Sequence, residues 1–276
     1  KYYEVVHEFI GGGDFNNSPT FSTDRWVINF RDWSFEKASE YPKCIEILRE
    51  RVKPYYDSRT GQIHEESYWK FSDKRLESYK LIKPMDRVLF HSFTSKHLCF
   101  GFLPVGMVYS APHVVIALSG FEHFAVLQSS FHLLWIIEFC STMKTDIRYA
   151  PSDLFNTYPF PEGVINHINS TKTIELEGIG EKYYKRRTDI MIEKNIGLTK
   201  FYNLIHDERN VDVDVVSFRS LQQELDSVVA ASYGLDIKLN YEFRETKIGI
   251  RLIPDEPKVT RIISFLRKRN EESINK

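Results

Sequence analysis

The chain has 276 residues, with 37 Lys and Arg against 38 Asp and Glu, a formal net charge of −1. That balance excludes a protein that holds nucleic acid by bulk charge, so any basic footprint must be local. An apolar content of 42%, with 20 Phe and 15 Tyr, supports a sizeable core, enough for one large domain or two small ones. The cysteines Cys44, Cys99 and Cys140 are odd in number and widely spaced. They point to reduced thiols in a cytoplasmic protein, not to a disulfide framework or a zinc site. No signal peptide or membrane-spanning run is visible.

Gly11-Gly12-Gly13-Asp14 and then Asn16-Asn17-Ser18-Pro19 read as flexible turns. The triple glycine lacks the spacing of a phosphate loop, and no strong helix is expected after it. Arg25 to Phe30 alternates and predicts a strand. Ser34 can cap a helix from Phe35, with Lys37 where a capping box would want Glu or Gln. Residues 42–53 continue helically through Ile45, Leu48 and Val52, and Pro54 is expected to end them. Tyr55 to Glu65 is a polar loop with Arg59, Gly61 and His64.

Residues 67–119 predict a sheet with one short helix. Tyr68-Trp69-Lys70-Phe71 is strand-like, and Lys74 to Leu81 holds a helical turn or two. The runs 87–90, 98–103, 107–109 and 114–117 are rich in β-branched and aromatic residues. The loop from Ser92 to His97 lies between two of these strands. His91 and His97 have metal-ligand chemistry, but a zinc site needs three or four ligands at Cys or His spacing and only Cys99 is near, so no metal is expected. Between 43 and 100 there are 12 Lys and Arg against 8 Asp and Glu, a mild excess that a solvated surface also shows.

From Phe121 the chain is apolar on nearly every side, through Phe124, Leu127, Phe131, Leu134, Trp135 and Phe139. This predicts one buried helix, too mixed in polarity to cross a membrane. Ser141 to Tyr149 follows, with Lys144, Asp146 and Arg148 at every second position. Period two places them on one side of an extended segment. A charged strip anchored by a buried helix suits the reading of a ligand; a solvated loop with idle charges fits the spacing equally.

After Pro161 a connector spans Gly163 to Thr173, and the rest reads as mostly helical and more charged. Ile179, Tyr183, Ile190 and Met191 stripe one helix, whose other side is expected to carry Lys182, Lys185, Arg186 and Arg187; Ile196-Gly197 breaks it, and Leu198 to His206 resumes. Val215 to Ser232 is amphipathic and ends at Gly234. A last helix, Val259 to Arg269, turns Arg261, Arg267, Lys268 and Arg269 outward, either onto phosphates or simply into solvent.

The stretch LQSSFHLLW followed by KTDIRYAPSDLFNTYPFPE carries a resemblance. Leu127, Gln128, Ser129, Ser130, His132, Arg148, Tyr149 and Tyr158-Pro159-Phe160-Pro161 stand in an order that resembles the target recognition domain of type IIG and type IIL restriction–modification DNA methylases. The related phage-exclusion methylases share it. GGGDFNN with RWVINFRDW, and GLTKFYN with LDSVVAASYG, resemble flanking parts of the same enzymes.

The resemblance implies an α+β fold: a mixed or antiparallel sheet recognition domain with a buried helix, followed by a C-terminal helical region. It implies a lead-in over residues 1–34 from a missing methylase domain, recognition over 35–163, and helices over 164–276. The chain begins Lys1-Tyr2-Tyr3, and we read it as the C-terminal piece of a longer protein. The implied partners are double-stranded DNA and the methylase domain of the same parent chain, with S-adenosylmethionine bound in that missing domain and no membrane. In type IIL relatives the positions four and two ahead of the Arg help to read one base pair. Here they hold Lys144 and Asp146. The loop with Lys96 and His97 resembles a second reading loop. Arg59, Lys70, Lys74, Arg75, Arg148 and Tyr149 are the expected backbone contacts.

This chain has no Pro-Pro dipeptide, which a catalytic loop holding a flipped base would need in that family. It also lacks a glycine-rich cofactor turn, so no catalytic residue and no cofactor of its own are expected. The parent is expected to be a methyltransferase with or without an endonuclease. Two rival readings stay open: a protein-interaction scaffold, and a metal-dependent nuclease built on Asp236, Glu245 and Lys247.

Overall fold

The computed structural model describes residues 2–58, 68–166 and 168–274. Two compact units are assembled from interleaved segments. The first takes Lys1–Ile10, Thr23–Asp86 and Pro104–Tyr109; the second takes Gly11–Ser22, Arg87–Leu103 and Ser110–Lys276. Elements are numbered along the chain.

In the first unit, β1 (Val6–Ile10) pairs antiparallel with β2 (Trp26–Ile28) and parallel with β6 (Val108–Tyr109). The unit also holds helices α2 (Phe35–Ser39), α3 (Pro42–Arg51), α4 (Lys53–Asp57) and α5 (Leu76–Ile82). Ser34 caps α2 as expected, its Oγ accepting the Lys37 amide at 3.3 Å. Pro54 does not end the helical stretch. It stands in the first turn of α4, where a missing N–H costs no hydrogen bond. Tyr68 to Phe71, expected as a strand, forms a turn and a bend. Its aromatics serve the core instead: Tyr68 is buried in the cluster of Val5, Phe30, Tyr41, Ile45 and Leu48, and Trp69 packs on it.

In the second unit, α1 is Gly12–Asn17. The glycine run expected as a turn is helical here, because the Gly12 amide donates to His113 Nε2 at 2.8 Å and the Asp14 carboxylate accepts the Gly11 amide at 2.9 Å. Strands β3 (Arg87–His91), β5 (Gly101–Pro104) and β7 (Val114–Ile116) form a sheet in the order β5-β3-β7. A second sheet joins β4 (Thr94–Ser95), β8 (Ser141–Met143) and β9 (Asp146–Arg148) in the order β4-β9-β8. The expected buried helix is two helices, α6 (Phe121–Gln128) and α7 (Ser130–Phe139). Ser129 breaks them with φ −70° and ψ 160°. Its hydroxyl donates to Val126 O at 2.7 Å and accepts the His132 amide at 3.4 Å. An apolar run hides such a break; the cap residue was its only trace. Phe124, Ala125, Val126, Leu127, Phe131 and Ile136 are fully buried, whereas Phe139 is exposed.

The remaining elements are α8 (Pro151–Leu154), α9 (Thr171–Glu193), α10 (Leu198–Ile205), α11 (Val213–Ser232), the strands β10 (Tyr241–Thr246) and β11 (Gly249–Pro254), and α12 (Glu256–Ile274). The β10–β11 hairpin interrupts what was expected to be helical. Packing of α9 on α6 depends on Gly180, where a Cβ would lie 2.2 Å from the Phe121 carbonyl oxygen. Backbone cannot step aside as a side-chain tip can, so Gly180→Ala is expected to cost the upper end of about 1–3 kcal/mol. Gly178, on the same helix with open space around it, is the control: Gly178→Ala should be neutral or slightly stabilising. Urea titration of both variants checks this, and equal midpoints would refute it.

Candidate nucleic-acid interface

The β4-β9-β8 sheet brings the two expected reading segments together. In its register Thr94 faces Arg148, Ser95 faces Ile147, and Met143 faces Asp146. Lys96 therefore leaves β4 beside the start of β9, where Asp146 stands. Lys144, Asp146 and Arg148 do not lie along one extended strip. Lys144 and Thr145 form the tip of the β8–β9 hairpin, and Lys144 has a left-handed φ of +59°. A non-glycine residue there carries strain of the kind found at functional tips. Period two misread a tight turn because no glycine marks it. Lys96, Lys144 and Arg148 are exposed and Asp146 is half-buried. Arg148 lies over the Phe93 ring, its guanidinium carbon 5.4 Å from the centroid. The patch thus presents three cations and one carboxylate on a single small sheet.

Two expected contact residues stand elsewhere. His97 is not at the loop surface: it is buried, with Nε2 2.9 Å from Asn203 Oδ1 and its ring stacked on His206 at 5.3 Å. Burial pushes its pKa down to about 3, so it is a neutral packed ring. Tyr149 is fully buried too. Its hydroxyl lies 3.3 Å from His132 Nε2, while His132 Nδ1 lies 2.8 Å from Leu127 O. In that arrangement the Nδ1–H donates to the carbonyl and Nε2 accepts from the phenol. Alternation from an exposed Arg148 turns Tyr149 inward; its place among the expected contacts came from the resemblance alone.

The same buried layer explains the other motif residues. Gln128 Oε1 accepts the Phe100 amide at 3.0 Å and its Nε2 donates to Leu98 O at 3.1 Å, fastening the segment after the Lys96 loop to the end of α6. Arg187, fully buried, donates to Phe100 O at 2.7 Å and to the Tyr202 hydroxyl at 3.1 Å. Asp226, fully buried, accepts the Ser130 amide at 2.7 Å, the Tyr241 hydroxyl at 2.7 Å and the Gln222 amide nitrogen at 3.1 Å. The periodicity set Arg187 on the polar side of its helix, yet it is fully buried, and Asp226 went unmarked. A charge at a core position of an amphipathic helix was the signal available for each.

The remaining expected contacts belong to the first unit. Lys70 reaches Asp32 O at 3.4 Å, Lys74 is half-buried, and Arg75 pairs with Asp73 at 3.1 Å. Arg59 lies outside the described residues. Of the residues proposed for a nuclease, Lys247 donates to Glu138 O at 3.2 Å and Cys140 O at 2.8 Å, Asp236 and Glu245 are exposed, and no cluster of three metal-binding side chains occurs among the described residues. Cys44, Cys99 and Cys140 are free and buried. No helix among the described residues is long and apolar enough to cross a membrane.

A family model described as the MmeI target recognition domain matches residues 1–162. The chain belongs to the MmeI target recognition domain family. It is similar to DNA methyltransferase A of Bacillus subtilis (strain 168), at 23% identity over 245 residues, covering 84% of this chain and 24% of that protein. The fold is similar to that of the type IIL restriction–modification enzyme MmeI, solved in complex with DNA. The TM-score is 0.68 at 17% identity, over 99% of this chain and 31% of that one. The chain thus spans about a quarter of the curated relative and under a third of the solved structure. Within the MmeI target recognition domain family match fall both halves of the charged sheet, whereas α9 to α12 and the β10–β11 hairpin lie beyond it.

Proposed function

We propose that this chain reads a specific sequence in double-stranded DNA for a longer parent enzyme that methylates it. The observation that carries this is the meeting of Lys96, Lys144, Asp146 and Arg148 on one exposed three-stranded sheet in a chain of this family. The relative named as a DNA methyltransferase and the solved structure with DNA support it. A β-sheet edge with such a hairpin can enter the major groove, where each base pair shows its own donor and acceptor pattern. Lys96 and Lys144 donate only, and Asp146 accepts only. Arg148 serves the phosphates; the first unit, taken by itself, offers Lys70, Lys74 and Arg75 to phosphates of its own. His97 and Tyr149 act from inside, as supports of the loop and of β9. The parent's methyl transfer would use S-adenosylmethionine in a domain other than this one, in the cytoplasm where the DNA is.

Selection of bound duplexes from a randomised pool, at stepped salt concentrations, tests the reading. The expected result is an enriched sequence whose affinity falls linearly on a log–log salt plot, with the slope reduced by about one in Arg148→Ala and preference relaxed at one position in Lys96→Ala. Failure to enrich any sequence at low salt would sink the proposal.

A further inference from the structure

The hairpin β10–β11 lies outside the span matched by the family model, yet it grips the charged sheet at two points. Lys247, at the hairpin turn, donates to the carbonyls of Glu138 and Cys140 at 3.2 and 2.8 Å. These carbonyls end α7 and lead directly into β8. A cation there also meets the negative end of the helix dipole. Arg251, four residues on, donates through Nη2 to Lys96 O at 2.5 Å. The tip is seated by Ile248, which is 1% exposed, and Arg251 itself is 2% exposed. Next to it, the Leu252 amide donates to His206 Nδ1 at 3.1 Å, and His206 stacks on His97. Burial pushes the Arg251 guanidinium down to about 10, against which Glu245 and then Asp146 favour its charge. Each grip falls on a backbone carbonyl, and of the reading side chains Asp146 bears on it, through its charge near Arg251.

We propose that the β10–β11 hairpin positions the reading sheet: Lys247 holds the start of the β8–β9 hairpin that carries Lys144 and Asp146, and Arg251 holds the turn that carries Lys96. This rests on the DNA-recognition reading above. Lys247 and Arg251 are positioning residues, acting on base readout through backbone they hold and not by touching DNA. Charge-assisted bonds to carbonyls at the two roots of the sheet limit the sliding and opening that a short three-stranded sheet otherwise allows.

Lys247 is exposed and can be replaced without opening the core, so Lys247→Ala is the test, with Lys247→Arg as the conservative rescue. Two readouts are taken on the whole chain after thermal melts show it folded. Amide exchange over 140–147 should quicken by about tenfold in Lys247→Ala, the size expected for loss of one charge-assisted bond, and return in Lys247→Arg. In the duplex selection, the enriched sequence should lose preference at one or two positions in Lys247→Ala, with affinity for unselected duplex changed by less than about twofold because the phosphate contacts remain; Lys247→Arg should restore it. Unchanged exchange in a folded Lys247→Ala overturns the grip. A Lys247→Ala variant that keeps every position of the wild-type sequence overturns the hairpin's role alone. A wild-type chain that selects no sequence overturns the recognition reading and this proposal with it.

Discussion

Exchanging both charges at the hairpin tip, with Lys144→Glu and Asp146→Arg, is expected to invert or destroy preference at a single G·C position of the selected sequence. Lys144 stands at the exposed turn and Asp146, half-buried, at the first position of β9, two residues apart. Lys donates to guanine O6 or N7, and a carboxylate accepts from cytosine N4. One such contact is worth about 1–3 kcal/mol, so its loss should cost roughly 5- to 150-fold at that position. A surface pair unrelated to DNA would behave otherwise. It is worth about 0–1 kcal/mol, and reversing both signs leaves the attraction nearly as it was. Duplex selection with the exchanged chain, and mapping of methylated sites by a parent enzyme carrying it, read the same position. If every position keeps its preference, these two residues are not readers.

The largest expected loss of stability is at Asp226. Its carboxylate satisfies the Ser130 amide, the first of α7, together with Tyr241 on β10 and Gln222 on α11. Removing it strands three donors, each costing about 1–3 kcal/mol when buried without a partner. Asp226→Ala is therefore expected to lower stability by about 3–5 kcal/mol, and urea titration checks it. Asp226→Asn keeps an acceptor for Ser130 and should lose less. The asparagine variant also separates two opposed pH effects. Burial pushes the Asp226 pKa up to about 6, so the folded state binds the proton more tightly than the unfolded chain. That contribution falls as pH rises from about 4 to 6, by at most about 1.4 kcal/mol per unit. Burial pushes His91 and His97 down to about 3, His132 to about 4, and His206 well below its usual value. The unfolded chain then binds those protons more tightly, and their contribution rises with pH up to about 6.5. Four histidines outweigh one aspartate, so the melting temperature should climb between pH 4 and 6.5. In Asp226→Asn it should climb more steeply. An equal slope in the two proteins would contradict the assignment of that titration to Asp226.

Much of this molecule could be read along the chain. The cap at Ser34, the helices over Leu198–Ile205 and Val213–Ser232, and the short strands at Arg87–His91 and Val114–Ile116 follow from local periodicity, capping and turn chemistry, which act within a few residues. The motif from Leu127 to Pro161 carried the family, and with it the α+β class. That information lies in the order of residues and survives without knowledge of how they meet.

Tertiary packing decided the rest. It divided the apolar run at Ser129, because a cap matters only when the next helix changes direction. It turned the charged strip into a hairpin with Lys144 at its tip, a conformation whose usual marker, glycine, is absent. It buried His97, which a polar loop had led outward, and Tyr149, which the resemblance had placed among the backbone contacts. Across sequence separations of 59 and 96 residues it placed Arg187 beside Gln128 and Asp226 beneath Ser130. It also brought Lys247 and Arg251 under a sheet that begins more than a hundred residues earlier. Local propensity reports what a residue favours among its neighbours in the chain. Which buried charge finds which acceptor is settled by the need to satisfy polar groups once water is excluded, and that condition exists only in the folded interior.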